Sequence, residues 1–176
     1  AAHMDEVGGI VTGVLDDGYV KFAPVGAVDP RIWPAKRVRI GKNRVPGVVG
    51  IRAVHLQPPE ARRDPVKPED LYIDIGAESR EEALELVRIA DYIVFDARCE
   101  PFGDGFVKGK ALDGRAACAV LCGLLEQSFE TSLIAVFTVQ EEVGCRGAVV
   151  AANTLEYGFA VDIGAAQFDG RAVRLG

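Results

Sequence analysis

Leu133-Ile134-Ala135-Val136-Phe137-Thr138-Val139 is a nearly unbroken apolar run, and Gln140-Glu141-Glu142-Val143-Gly144-Cys145-Arg146-Gly147-Ala148 follows it directly. An apolar run of this length that ends in a Gly-rich helix start fits a strand buried on both faces of a parallel sheet. In open α/β sheets, ligands gather at the carboxyl ends of the strands. Two adjacent acids at that place are therefore informative. Neighbouring residues of an extended segment point to opposite sides. One Glu can bind a metal while the other faces a water or a substrate as general base.

The second half of the chain reads as alternating strand and helix. The patterns predict a strand over Gly105–Lys110 and a helix from Asp113 to about Gln127 with Ala117, Val120, Leu121, Leu124 and Leu125 inward. They also predict a buried strand over Leu133–Val139, a small-residue helix over Gly147–Thr154, a buried strand over Phe159–Val161 and an edge strand over Ala172–Leu175. Such alternation points to an α/β fold with a parallel sheet.

The first half reads as β-rich. Ile10–Leu15 and Tyr19–Ala23 flank Asp16-Asp17-Gly18, a hairpin signal. Lys36–Ile40 and Val45–Ala53 are further strands split by Gly41-Lys42-Asn43, and Pro58-Pro59 to Pro68 is a loop. Ser79-Arg80-Glu81-Glu82 is a capping box for a helix with Ala83, Leu84, Val87 and Ala90 on one face, and Tyr92–Phe95 returns to strand. Two regions result: residues 7–96 form a β-rich unit inserted between residues 1–6 and 97–176, which form the α/β unit.

Composition narrows the function classes. A chain of 176 residues with 49% hydrophobic and 26% charged side chains has a globular profile. A formal net charge of −6 argues against nucleic acid or an anionic membrane surface as partner. No apolar run approaches a membrane span and no signal peptide is visible. Cys99, Cys118, Cys122 and Cys145 form no Cys-x-x-Cys pair, and Cys118 and Cys122 share one face of the predicted helix. Buried core thiols and a cytoplasmic location are expected.

Asp113 lies at a strand-to-helix transition and Asp162 at the end of a predicted strand, so three turns deliver carboxylates to one sheet edge. His3-Met4-Asp5 adds a His-x-Asp whose two side chains share one side of a strand. His3 is a candidate metal ligand, and Asp5 either orients its other ring nitrogen or lies alongside it.

Ala2-His3-Met4-Asp5-Glu6-Val7-Gly8, Gly109-Lys110-Ala111-Leu112-Asp113, Thr138-Val139-Gln140-Glu141-Glu142-Val143-Gly144 and Ala160-Val161-Asp162 together resemble the tetrahedral aminopeptidases, glutamyl-aminopeptidase-like di-zinc metallopeptidases of which some carry an endoglucanase label. Ile73-Asp74-Ile75-Gly76-Ala77 before the Ser-Arg-Glu-Glu helix is similar too. The resemblance implies a zinc-peptidase-like α/β catalytic domain, partial here, with an inserted β-rich, barrel-like dimerisation domain. It implies that His3, Asp113 and Asp162 hold one zinc or cobalt, that Asp113 bridges to a second ion held by Glu142, and that Glu141 is the general base. Asp5 would complete the catalytic set by orienting His3. It implies peptide substrates and assembly into homo-oligomers, with dimers formed through the insert.

Two departures stand out. The family usually places a second acid after the Lys-Ala-Leu-Asp motif, and this chain has Gly114. The family's second zinc takes a His from a segment well past Asp162, whereas the other His of this chain is His55, in the insert. The expectation is a fragment, cut at both ends. Two competing functions follow: an inactive fragment that serves as an interaction or oligomerisation module, and an endoglucanase. A glycosidase needs a carboxylate pair without metal, and a His among the acids argues for metal instead.

Overall fold

The computed structural model describes residues 1–53, 55 and 66–164. The chain forms two compact units, Val7–Asp96 and Ala1–Glu6 with Ala97–Gly176.

The Val7–Asp96 unit is a closed barrel of antiparallel strands in the order β2-β3-β6-β5-β4-β7. The strands are β2 (Gly8–Val14), β3 (Val20–Val25), β4 (Arg37–Ile40), β5 (Val45–Ile51), β6 (Leu71–Asp74) and β7 (Tyr92–Phe95). Period-two alternation builds it. In β4, Val38 and Ile40 are buried while Arg37 and Arg39 face outward, and in β6 Leu71 and Ile73 are buried. Trp33 is fully buried, its ring 4.9 Å from that of Phe22 and 4.6 Å from that of Phe95. Closure removes the strand edges that an open sheet of this size would expose.

The β2–β3 turn falls on Asp16-Asp17-Gly18. Gly18 has φ +83°, and a Cβ there would stand 2.4 Å from the Ala77 carbonyl oxygen, so glycine is required. Ser79 caps α1 (Arg80–Leu86) by accepting the Glu82 N–H at 3.2 Å, while the Glu82 carboxylate accepts the Glu78 N–H at 2.9 Å. Of the expected inward face, Ala83 and Val87 are buried. Leu84 is exposed, and Ala90 lies beyond the helix with φ +71°. The short strand β6 has no counterpart among the sequence predictions, and most of the predicted 58–68 loop lies outside the described residues.

In the other unit, β1 (Ala2–His3) pairs in parallel with β10 (Phe137–Thr138), with Ala2 opposite Phe137 and His3 opposite Thr138. Helix α2 (Leu112–Leu125) packs Ala117 and Leu121 on Ala2 to form a small core, and α3 is Arg146–Thr154. A short antiparallel ribbon pairs β8 (Glu100–Pro101) with β9 (Val107–Lys108).

Several expectations are corrected here. The Leu133–Val139 strand shrinks to Phe137–Thr138, and Leu133, Ile134 and Val139 are exposed. An apolar run predicts burial only where elements cover both faces, and among the described residues the β1–β10 sheet has two strands. Phe159–Val161 is not a strand, and Phe159 is 85% exposed. Yet the Val161 carbonyl accepts from the Ala1 amino group at 2.7 Å and the Ile163 N–H donates to the Ala1 carbonyl at 3.0 Å, so this segment runs alongside the start of β1. The expected 105–110 strand is reduced to Val107–Lys108. On α2, Val120 and Leu125 are exposed. Cys99, Cys122 and Cys145 are exposed and so are not core thiols, whereas Cys118 is half-buried and packs against the Ala2–Ala117–Leu121 core. The predicted Ala172–Leu175 strand lies outside the described residues. Among the described residues no helix is long and apolar enough to cross a membrane.

Candidate metal centre

The parallel register of β1 and β10 puts the carboxyl ends of both strands side by side. The Met4 N–H donates to the Thr138 carbonyl at 2.8 Å, so His3 and Asp5 leave β1 next to the segment that carries Glu141 and Glu142. That segment turns sharply. Gln140 is left-handed (φ +60°), and the Glu141 carbonyl accepts the Gly144 and Cys145 N–H groups at 2.9 and 3.0 Å.

Asp5 joins the two sides. Its Oδ1 accepts the Glu141 N–H and its Oδ2 the Glu142 N–H, each at 3.1 Å. Its Oδ1 also faces His3 Nδ1 at 3.6 Å, too long for a hydrogen bond, and Nδ1 is buried with no hydrogen-bond partner. Burial opposes the Asp5 charge, but these two backbone donors and the nearby His3 outweigh it and hold its carboxyl below the ordinary aspartate value.

His3 is 8% exposed, with both ring nitrogens turned toward carboxylates. Nε2 lies 3.4 Å from Asp113 Oδ1 and 3.9 Å from Glu141 Oε2. Burial works against a charge on the ring. The Asp113 hydrogen bond and the charges of Glu141, Asp113 and Asp5 prevail and raise its pKa. Glu142 is pushed up by burial first, then by the Glu141 charge. The negative charge that contributes to both shifts is one that a cation would relieve.

Helix α2 approaches His3 through a break. Asp113 (ψ 120°) and Gly114 (φ +80°) are not helical, and a Cβ on Gly114 would stand 2.5 Å from the His3 carbonyl oxygen and 2.6 Å from its ring Cε1. Cys118 Sγ donates to the same carbonyl at 3.1 Å, and Arg115 Nε donates to the Met4 carbonyl at 2.9 Å. The expected second acid after Asp113 has no room here. Gly114, Arg115 and Cys118 are contacts of the site that residue-type reasoning does not single out, because each depends on a partner more than a hundred residues away.

His3, Glu141 and Glu142 each offer one donor atom, and the three lie within 4.8 Å of one another. Imidazole and carboxylate donors suit zinc and its neighbours in the first transition row. The orphaned Nδ1 beside Asp5 fits as well, since a metal-bound His donates its other N–H to a carboxylate. Asp113 reaches His3 but stands outside this close trio. Asp162 is exposed and also outside it. His55 is exposed in the barrel unit and belongs to no group of metal-ligating side chains among the described residues.

The family model for M42 glutamyl aminopeptidases matches residues 1–173. The chain belongs to this family. It is 34% identical over 172 residues to the lysyl aminopeptidase of Pyrococcus furiosus, covering 93% of this chain and 49% of that one. Among solved structures, the TET1 peptidase of Pyrococcus horikoshii is 38% identical with a TM-score of 0.74, covering 87% of this chain and 48% of its own. A Thermotoga maritima protein described as an endoglucanase is 40% identical with a TM-score of 0.67, covering 87% and 44%. The chain thus spans about half the length of these relatives, and its mixed α/β fold matches that of the solved structures.

Proposed function

We propose that this chain carries the metal-binding and base-bearing part of a metal-dependent aminopeptidase that removes N-terminal residues from short peptides. The observation that carries the reading is the convergence of His3, Glu141 and Glu142 within 4.8 Å at the ends of two parallel strands.

In this reading His3, Asp113 and Asp162 would hold one divalent cation, zinc or cobalt, and Glu142 together with Asp113 would hold a second. Such ions supply Lewis acidity and a water of lowered pKa. Asp5 fixes the backbone of both acids through the Glu141 and Glu142 N–H groups, and with a metal bound it would close its 3.6 Å separation from Nδ1 and orient the His3 ring. Glu141 is half-exposed and would take a proton from water as the water oxygen attacks the scissile carbonyl carbon. The same carboxyl then gives that proton to the leaving amine as the C–N bond breaks, releasing a free amino acid and a shortened peptide.

The unit of residues 1–6 and 97–176 is the catalytic domain in this account, and the barrel of residues 7–96 is the dimerisation domain. The Pyrococcus horikoshii TET1 peptidase can assemble into a tetrahedron or a large octahedral shell, which supports homo-oligomers here. A cytoplasmic location fits the four unpaired cysteines.

The test is release of amino acids from a panel of aminoacyl chromogenic substrates, with zinc or cobalt added and Glu141→Gln as control. Metal-dependent release that vanishes in the control supports the reading. Zinc uptake without release supports the second reading, an oligomerisation module, which the closed barrel with its own core favours. Activity on glucan that survives chelation would make the endoglucanase reading the correct one.

A further inference from the structure

Asp113 is bracketed by two cations that reach back to the segment carrying His3. Lys110 Nζ donates to both carboxylate oxygens of Glu6, at 2.5 and 2.7 Å. Arg115 Nε donates to the Met4 carbonyl at 2.9 Å. The two acceptors lie on either side of Asp5. Two chain segments more than a hundred residues apart are thus tied at two points, one on each side of Asp113 in sequence.

The backbone explains why such ties are needed. Ala111 is left-handed (φ +55°), and Asp113 and Gly114 interrupt the helix. A residue in a helix interior is fixed by the hydrogen bonds of the turns around it, and Asp113 has no such frame. Its 3.4 Å approach to His3 depends on the contacts that hold residues 110–118 against residues 3–6, the Lys110 and Arg115 ties beside the Cys118 bond to the His3 carbonyl.

The Lys110–Glu6 pair is suited to that task. Its side chains are 28% and 17% exposed, and the ammonium meets both carboxylate oxygens. The Lys108–Glu100 pair of the same unit joins neighbouring strands at 2.9 Å with both side chains more than half exposed. Exposed pairs contribute little, whereas removing one partner of a shielded pair leaves an uncompensated charge.

We propose that the Lys110–Glu6 ion pair is a positioning strut that sets the separation of Asp113 from His3, and through it the shape of the metal centre. Neither residue belongs to the close group of candidate metal-ligating side chains among the described residues. The metal readout below rests on the function proposed above, and the exchange readout does not.

The experiment compares Lys110→Met, the reversed pair Glu6→Lys with Lys110→Glu, and the control Lys108→Met in the full chain. Cobalt(II) affinity is measured by calorimetry, and the visible spectrum of the cobalt-loaded protein reports ligand geometry. Amide hydrogen exchange of Arg115 and Met4 is measured in metal-free protein. Lys110→Met is expected to weaken cobalt binding about tenfold or more, to alter the cobalt spectrum and to speed exchange at Arg115. The reversed pair restores most of each, and Lys108→Met changes none. Wild-type affinity, spectrum and exchange in Lys110→Met would overturn the strut, as would a lower melting temperature with those three unchanged. Should Lys110→Met fail to fold, Glu6→Gln carries the same measurements. If the wild type takes up no cobalt, the metal-centre reading fails, and exchange in the metal-free protein still decides for or against the strut.

Discussion

Gly114 lies so close to His3 that a single added carbon would stand 2.5 Å from its carbonyl oxygen and 2.7 Å from its ring Nδ1. The left-handed φ of +80° at this residue adds to the constraint. The site is therefore built on a close backbone approach as well as on its acids.

Gly114→Ala should displace His3 or the start of α2. We expect metal affinity to fall by about tenfold or more, with the barrel unit intact by circular dichroism. Calorimetric titration with zinc checks this, and unchanged affinity would mean that the neighbours give way without cost to the site.

Asp5 links acid sensitivity to the site. Its folded pKa lies below the ordinary value because two backbone N–H groups and His3 favour the carboxylate over the opposing effect of burial. A lowered carboxylate pKa contributes stability that is present above the unfolded value, and it is lost as pH falls through the folded one. The expectation is that Asp5→Asn destabilises the protein at about pH 6 and that the difference from wild type narrows at about pH 3. Urea midpoints at the two pH values measure it. A gap that widens in acid would contradict the assignment.

Glu141→Gln should retain metal and lose turnover, because the amide can neither accept nor return the proton. Metal content and release of aminoacyl chromophore, measured on the same sample, separate the two effects. Normal turnover in Glu141→Gln would remove Glu141 as the base.

In the barrel unit, Trp33 is the single tryptophan of the chain and is fully buried between the rings of Phe22 and Phe95. Trp33→Ala should cost about 3–5 kcal/mol of stability. Chemical denaturation followed by circular dichroism reads it, since the substitution removes the intrinsic fluorophore. A loss below about 1 kcal/mol would show that the site collapses around the cavity.

Some of this architecture is legible in the sequence because the signal is local. Asp16-Asp17-Gly18 marks a turn whose glycine is required by a carbonyl 2.4 Å from its would-be Cβ. Ser79 caps the helix that its spacing to Glu82 predicts. Other features were not legible because they depend on tertiary partners. Leu133, Ile134, Val139 and Phe159 read as buried from apolar character alone, yet all are exposed. The β6 strand is only four residues long and shows itself by closing the barrel between β3 and β5. In the site, His3, Glu141 and Glu142 can be singled out by residue type and position. The Asp5 bonds to two backbone N–H groups, the Gly114 contact and the Lys110–Glu6 pair become visible only when residues more than a hundred apart in sequence are brought together.

The most direct test of the account is the zinc content of the chain after metal loading and exhaustive dialysis, for wild type beside His3→Ala and Glu142→Gln. The account predicts that the wild type retains at least one zinc per chain and that each variant retains clearly less than the wild type while keeping wild-type circular dichroism. Zinc retained equally by all three would contradict a metal centre built on these residues.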